Sequence, residues 1–268
     1  MRVFISADIE GIWGVVSRTQ TGGDNPDYTR GRELMTKEVN LACEALLENG
    51  ATEIVVNDSH GNMDNILIEK LHPEVQLISG SPKPLGMMQG IEKGYDKAFF
   101  IGYHSRAGTA RAAFDHTYHG RLFFSLKLNG KPLGEAGFNA LLAGYYSVPV
   151  VFLSGDKTST EQAQDEVGEI VTLAVKDSIN RTSAHNLSFN HLKQGYKDKI
   201  REAYNLSKEP IEPKGPFTME VEFFTSMGPN LAERIPAVTQ TGARTVEVRS
   251  NDFLELYKIF EVLFDAAG

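Results

Sequence analysis

The feature that most constrains the fold of this chain is a repeated change of hydrophobic period. Short apolar runs, "RVFIS", "TEIVVND", "VQLISG" and "KAFFIGYH", alternate with stretches such as "RGRELMTKEVNLACEALLENG" and "NILIEKLH", in which apolar residues recur at helical spacing. Strands joined through helices rather than tight turns pair in parallel, and parallel strands are covered on both faces, which is why the runs are apolar almost throughout. The sequence therefore predicts an α/β fold: a mostly parallel sheet flanked by helices, with a smaller C-terminal α/β domain.

Local signals sharpen this outline. A helix is expected over 30–49, with Leu34, Val39, Leu41, Ala42, Ala45 and Leu46 on its buried face and Gly50 as its stop. A hairpin "RLFFSLKLNGKPLG" turns at Asn129-Gly130, and a helix runs over about 135–146. "VPVVFLSGD" reads as a buried strand, followed by a helix "STEQAQDEV" with Ser159 or Thr160 as its N-cap. Residues 181–216 are polar, with a helix near 191–205 and a proline-bearing linker "SKEPIEPKGP". "FTMEVEFF", "NLAERI", "ARTVEVRS" and "NDFLELYKIFEVLFDAA" then read as strand, helix, strand and helix. The expected division is a larger domain over 1–190 and a smaller domain over 191–268.

Composition excludes several classes of function. A net charge of -8 with a pI near 5.4, and no concentrated basic stretch, argues against nucleic acid and anionic membrane as partners. The single cysteine, Cys43, lies on the apolar face of the first long helix and reads as a buried thiol. With no apolar leader after "MRVFISADIEG" and no run of membrane-spanning length, the expectation is a cytoplasmic protein.

Chemistry gathers where strands end. In open α/β sheets, functional groups collect beyond the carboxyl ends of the strands. Asp8 and Glu10 follow the first strand, "VVNDSH" brings Asn57, Asp58 and His60 to the end of the second, and "YHSRAG" brings His104 and Arg106 to another. If the chain stays extended, Asp8 and Glu10 project to one face, and carboxylates that close repel unless a proton or a cation lies between them. Acids joined by imidazoles suit zinc, and a carboxylate can bridge two ions. Downstream, Glu135 opens a helix, His116 lies in a loop suited to a general base or nucleophile, and Arg106 can orient a carboxylate or pair with Asp115. Singly each has a plain structural role, as cap, turn residue or surface side chain; it is their joint arrival at one sheet edge that argues for a metal site. His72, His185 and His191 are assigned no chemistry. Gly11 and Gly14 read as flexible backbone beside the acids, and Trp13 is unassigned.

"SADIEG", "VNDSHGNMDNILIEKLHPEVQLISG", "FIGYHSRAGT" and "PLGEAGFNALLAGYYSVPV", in that order, resemble the zinc-dependent D-aminopeptidase family. The resemblance runs through most of residues 1–180, reaches "AVK" at Lys176, and thins towards the C-terminus. It implies that Asp8 bridges two zinc ions, that Glu10 and His104 complete one, and that His60 and Glu135 complete the other. It makes His116 the catalytic histidine, with His119 as a rival because "AGTARAAFDH" departs in detail from the family pattern. It further implies a short peptide substrate with release of its N-terminal, D-configured residue, and a homo-oligomer, specifically a decamer. Two other readings stay open on residues alone. A haloacid-dehalogenase-like phosphatase would use Asp8 and Glu10 with Ser154, Asp156 and Lys157, and a non-catalytic oligomeric protein would use the metal structurally.

Overall fold

A computed structural model of the chain describes residues 1–267. In chain order its strands are β1 (Arg2–Ala7), β2 (Glu53–Asp58), β3 (Gln76–Ile78), β4 (Lys97–Tyr103), β5 (Phe123–Leu128), β6 (Lys131–Leu133), β7 (Val150–Asp156), β8 (Val171–Asn180), β9 (Ser183–Asn186), β10 (Phe217–Phe223), β11 (Val238–Gln240) and β12 (Thr245–Ser250). The helices are α1 (Pro26–Glu48), α2 (Glu135–Tyr145), α3 (Lys157–Val167), α4 (Phe189–Asn205), α5 (Met227–Ala232) and α6 (Phe253–Ala267).

The central sheet has the order β3-β2-β1-β4-β7-β8-β9 and is parallel except for the β8–β9 pair, so the expected mostly parallel sheet flanked by helices is the fold. Alternation along β1 explains its two covers. Val3, Ile5 and Ala7 are buried with Met35 and Val39 of α1 and Leu192, Tyr196 and Ile200 of α4. Phe4 is buried with Phe138 and Leu142 of α2 and with Phe253, Leu256 and Phe260 of α6. Each such large apolar side chain contributes about 1.5–3 kcal/mol on leaving water.

The second sheet is antiparallel, in the order β11-β12-β10-β5-β6. The C-terminal strands therefore share a sheet with the hairpin that turns at Asn129-Gly130. Helix α6 packs on this sheet and lies against Tyr118, whose ring meets Phe260 at 4.6 Å.

Several local expectations shift. Helix α1 begins at Pro26, where the missing N–H costs nothing, and the Asn25 side chain caps it by accepting from the Asp27 N–H. Helix α3 is capped by Asp156 rather than Ser159 or Thr160, because β7 runs directly into the helix and the Asp156 carboxylate meets the Ser159 N–H at 3.3 Å. "NILIEKLH" forms a single tight turn at Ile68–Lys70. Gly11 is no flexible joint: its N–H donates to Gly102 O at 2.7 Å, and a Cβ there would stand 2.0 Å from Tyr103 O. The site requires glycine for close approach of two strand ends.

Candidate metal centre

Strand order reverses beside β1, with β2 and β3 on one side and β4 on the other, which opens a crevice at the carboxyl ends of β1 and β4. Asp8 leaves β1 there, its N–H donating to Ile101 O at 2.8 Å. His60 sits two residues past β2, in a turn held by Asp58, whose carboxylate accepts from the Asn65 and Ile66 N–H groups at 2.6 and 2.7 Å. His104 follows β4 directly, and Glu135 is the first residue of α2. His116 comes from the long loop between β4 and β5, where Arg111, Phe114 and Tyr118 all take positive φ, a backbone cost typical of functional loops.

Asp8, Glu10, His60, His104, His116 and Glu135 come together. Asp8 uses separate oxygens: Oδ1 lies 3.2 Å from His60 Nδ1 and Oδ2 3.4 Å from His104 Nε2. Glu10 Oε2 is 3.0 Å from His60 Nδ1, and Glu135 Oε1 is 3.2 Å from His104 Nε2 and 3.8 Å from His116 Nε2. The nearest approaches thus pair His60 with Glu10 and His104 with Glu135. Ligand atoms of Asp8, Glu10 and His104 also lie within 4.8 Å of one another, as do those of His104, His116 and Glu135. The His104 and His116 rings stack at 3.9 Å.

In each imidazole one nitrogen is tied to backbone, which orients the other. His60 Nε2 meets Thr21 O at 2.6 Å, His104 Nδ1 meets Ser105 O at 3.0 Å, and His116 Nδ1 meets Phe114 O at 2.7 Å. A ring nitrogen that donates to a carbonyl leaves its partner as a lone pair, here pointing among carboxylates, which is the second-shell pattern of metal-binding histidine. Asp8 Oδ2, Glu10 Oε2 and His104 Nε2 are buried without a hydrogen-bond partner. Burial, and then the charge of Glu10, push the Asp8 carboxyl above its ordinary range. A buried group of three acids needs protons or cations, and carboxylate oxygens with imidazole nitrogens are a zinc-type donor set. The residues fit zinc.

A supporting layer holds them. Lys176 of β8 is buried and donates to Glu10 O, Ile12 O and Val15 O at 2.6, 2.9 and 2.7 Å. Buried Glu38 accepts from the Trp13 N–H and the Tyr196 hydroxyl at 2.7 and 2.6 Å. Trp13 donates its indole N–H to Leu187 O at 2.7 Å and so ties the acid-bearing loop to the start of α4. Arg106 pairs with Glu166 at 2.8 Å rather than with Asp115, and Glu166 accepts the N–H groups of Gly134 and Gly137 at the start of α2, beside Glu135. Asp115 pairs with Arg181. The Tyr118 N–H donates to Glu135 Oε1 at 2.6 Å.

Beside the cluster lies a pocket of about 160 Å³, walled further by Met63, Met87, Tyr118, His119, Glu261 and Phe264. His119 reaches the pocket but not the acid–histidine cluster, and accepts the Arg121 N–H at 3.3 Å. Ser154 bonds Tyr196 and the Gly102 N–H in the core, and Asp156 caps α3, so no phosphatase arrangement forms around Asp8. Sequence reasoning missed Glu38, the anchoring role of Lys176, and the α6 side chains of the pocket. Only Lys176 carried a local signal, as a lysine inside the apolar run "VTLAVK".

Comparison with known proteins gives three concordant likenesses. The family model described as D-aminopeptidase matches residues 1–262. A D-aminopeptidase of Bacillus subtilis (strain 168) is 35% identical over 272 residues, covering 100% of this chain and 98% of that protein. Among solved structures, the Zn-dependent D-aminopeptidase DppA from Bacillus subtilis, a self-compartmentalizing protease, superposes with a TM-score of 0.95 at 34% identity, covering 100% of this chain and 98% of that one.

Proposed function

The chain belongs to the D-aminopeptidase family, and on that premise we propose that it is a zinc-dependent aminopeptidase that removes N-terminal D-amino acids from short peptides or amides. The observation that carries this reading is the convergence of Asp8, Glu10, His60, His104 and Glu135, with buried donor atoms left unpartnered. In our reading these five hold two zinc ions with Asp8 common to both, Glu10 and His104 completing one set and His60 and Glu135 the other. Bound there, zinc supplies Lewis acidity at the scissile carbonyl and acidifies water.

The chain's own groups do the rest. His116 is the proposed catalytic residue. Its Nδ1–H donates to Phe114 O, which leaves Nε2 as the atom that takes a proton during attack and returns it to the leaving amine. Burial and the neighbouring His104 lower its pKa, favouring the neutral, proton-accepting form. Glu135 holds the Tyr118 N–H and so fixes the loop that carries His116. A pocket of about 160 Å³ suits one small side chain. We further propose a homo-oligomer, a decamer, acting in the cytoplasm, with the metal-binding catalytic domain over 1–190 and a smaller domain over 191–268 that lends Glu261 and Phe264 to its pocket. Among the described residues no helix is long and apolar enough to cross a membrane.

The test is hydrolysis of paired D- and L-alanyl dipeptides and aminoacyl amides by zinc-loaded protein, with Asp8→Ala and His116→Ala alongside. Release of the D-residue, lost in both variants, is expected; no hydrolysis of any peptide, or full activity in Asp8→Ala, sinks the proposal.

A further inference from the structure

Glu261 of α6 lines the same pocket as Asp8, His60, His116 and Glu135 yet belongs to neither proposed ligand set. Its Oε1 is closed off from solvent and has no hydrogen-bond partner. The fold makes room for it: a Cβ on Gly86 would stand 2.5–2.7 Å from the Glu261 carboxyl atoms. The polar groups nearest the carboxyl, Tyr257 and Lys83, are shared with other partners. The Tyr257 hydroxyl donates to Asn139 Oδ1 at 2.9 Å, and Lys83 Nζ donates to Asn57 Oδ1 and Asp58 O at 2.7 and 2.6 Å. Burial, and then the charge of Asp265, push its pKa up to about 8. A carboxyl with one oxygen left unpartnered in a pocket walled by Met63, Met87 and Phe264 is costly unless a ligand supplies the matching cation.

Resting on the aminopeptidase reading, we propose that Glu261 binds the free α-amino group of the substrate's first residue. An ammonium gives a charge-assisted hydrogen bond to a carboxylate, roughly twice as strong as a neutral one. A peptide whose first amine is acylated cannot form it. Recognition of a free chain end would then come from α6, while the metal-binding residues act on the carbonyl.

The experiment is calorimetric titration of the zinc-loaded full chain with D-alanine and with D-lactate, which carries a hydroxyl in place of the amino group. Glu261→Gln keeps shape and removes charge, and Glu261→Asp keeps charge but withdraws it. We expect wild type to favour D-alanine, Glu261→Gln to shrink that preference by about 10-fold or more, and Glu261→Asp to fall between them. Zinc content and a thermal melt establish that the variants are folded and loaded, and the alanine-to-lactate ratio of Glu261→Asp serves if the Gln variant does not fold. An unchanged ratio in the folded variants, in an enzyme that hydrolyses peptides, overturns this inference alone. A wild type that hydrolyses no peptide overturns the aminopeptidase reading, and this inference with it.

Discussion

Replacing Lys176 by methionine tests how the acid-bearing loop is held. Methionine keeps most of the apolar stem and removes the ammonium, which leaves the carbonyls of Glu10 and Val15 without a donor, whereas Ile12 O keeps the Val15 N–H at 3.2 Å. A buried acceptor that loses its partner costs about 1–3 kcal/mol, so the two together cost about 4 kcal/mol. Against this stands the cost of burying the charge, which lowers the Lys176 pKa from 10.5 to about 8; that difference is worth about 3 kcal/mol and disappears with the charge. The net expectation is a loss of about 1 kcal/mol in urea denaturation of metal-free protein, seen as a lower midpoint with an unchanged slope. Because Glu10 hangs from the same loop, zinc affinity should also fall, by about 10- to 100-fold. A stability change within about 0.5 kcal/mol, together with unaltered zinc affinity, would falsify the claim that Lys176 pins this loop.

Asp8→Ala should lower the zinc content measured by elemental analysis from about two ions per chain, since one carboxylate is proposed to serve both. His116→Ala should keep its zinc while kcat drops by about 10²–10⁴-fold; a variant that loses metal instead would reassign His116 as a ligand. Chelation of wild type should lower Tm, because zinc that binds only the folded chain stabilises it, and an unmoved melt would argue against a bound metal. Glu38 is a raised carboxyl, its pKa pushed from 4.5 to about 7 chiefly by burial. The folded state then holds a proton that the unfolded state has lost, so this group makes stability fall between pH 4.5 and 7 by up to about 3 kcal/mol. Glu38→Gln should flatten denaturation midpoints across that window, and a slope equal to wild type would count against the assignment.

The strand ends of β1, β2 and β4 were legible because burial on both faces writes itself into consecutive apolar residues, and because function in such sheets gathers beyond those ends. That sufficed to single out Asp8, Glu10, His60, His104 and Glu135 from the sequence, with the resemblance adding their proposed roles. The turn at Asn129-Gly130 was legible for the same reason, since its chemistry is local. Periodicity says which face of an element is buried, but not against what. It could not show that β5 pairs with β10, some ninety residues away in sequence, nor that Gly11 is held by Gly102 O where Tyr103 O leaves no room for a side chain. It also could not say which imidazole nitrogen faces the acids, since carbonyls of Thr21, Ser105 and Phe114 decide that. Glu261 is the clearest case. In "NDFLELYKIFEVLFDAA" it reads as one polar position of an amphipathic helix, and only the packing of α6 against Tyr118 and Gly86 turns it into the pocket. The sequence by itself determined which residues could do chemistry at the sheet edge; the tertiary structure decided what surrounds them, because contacts between distant segments leave no period in the chain.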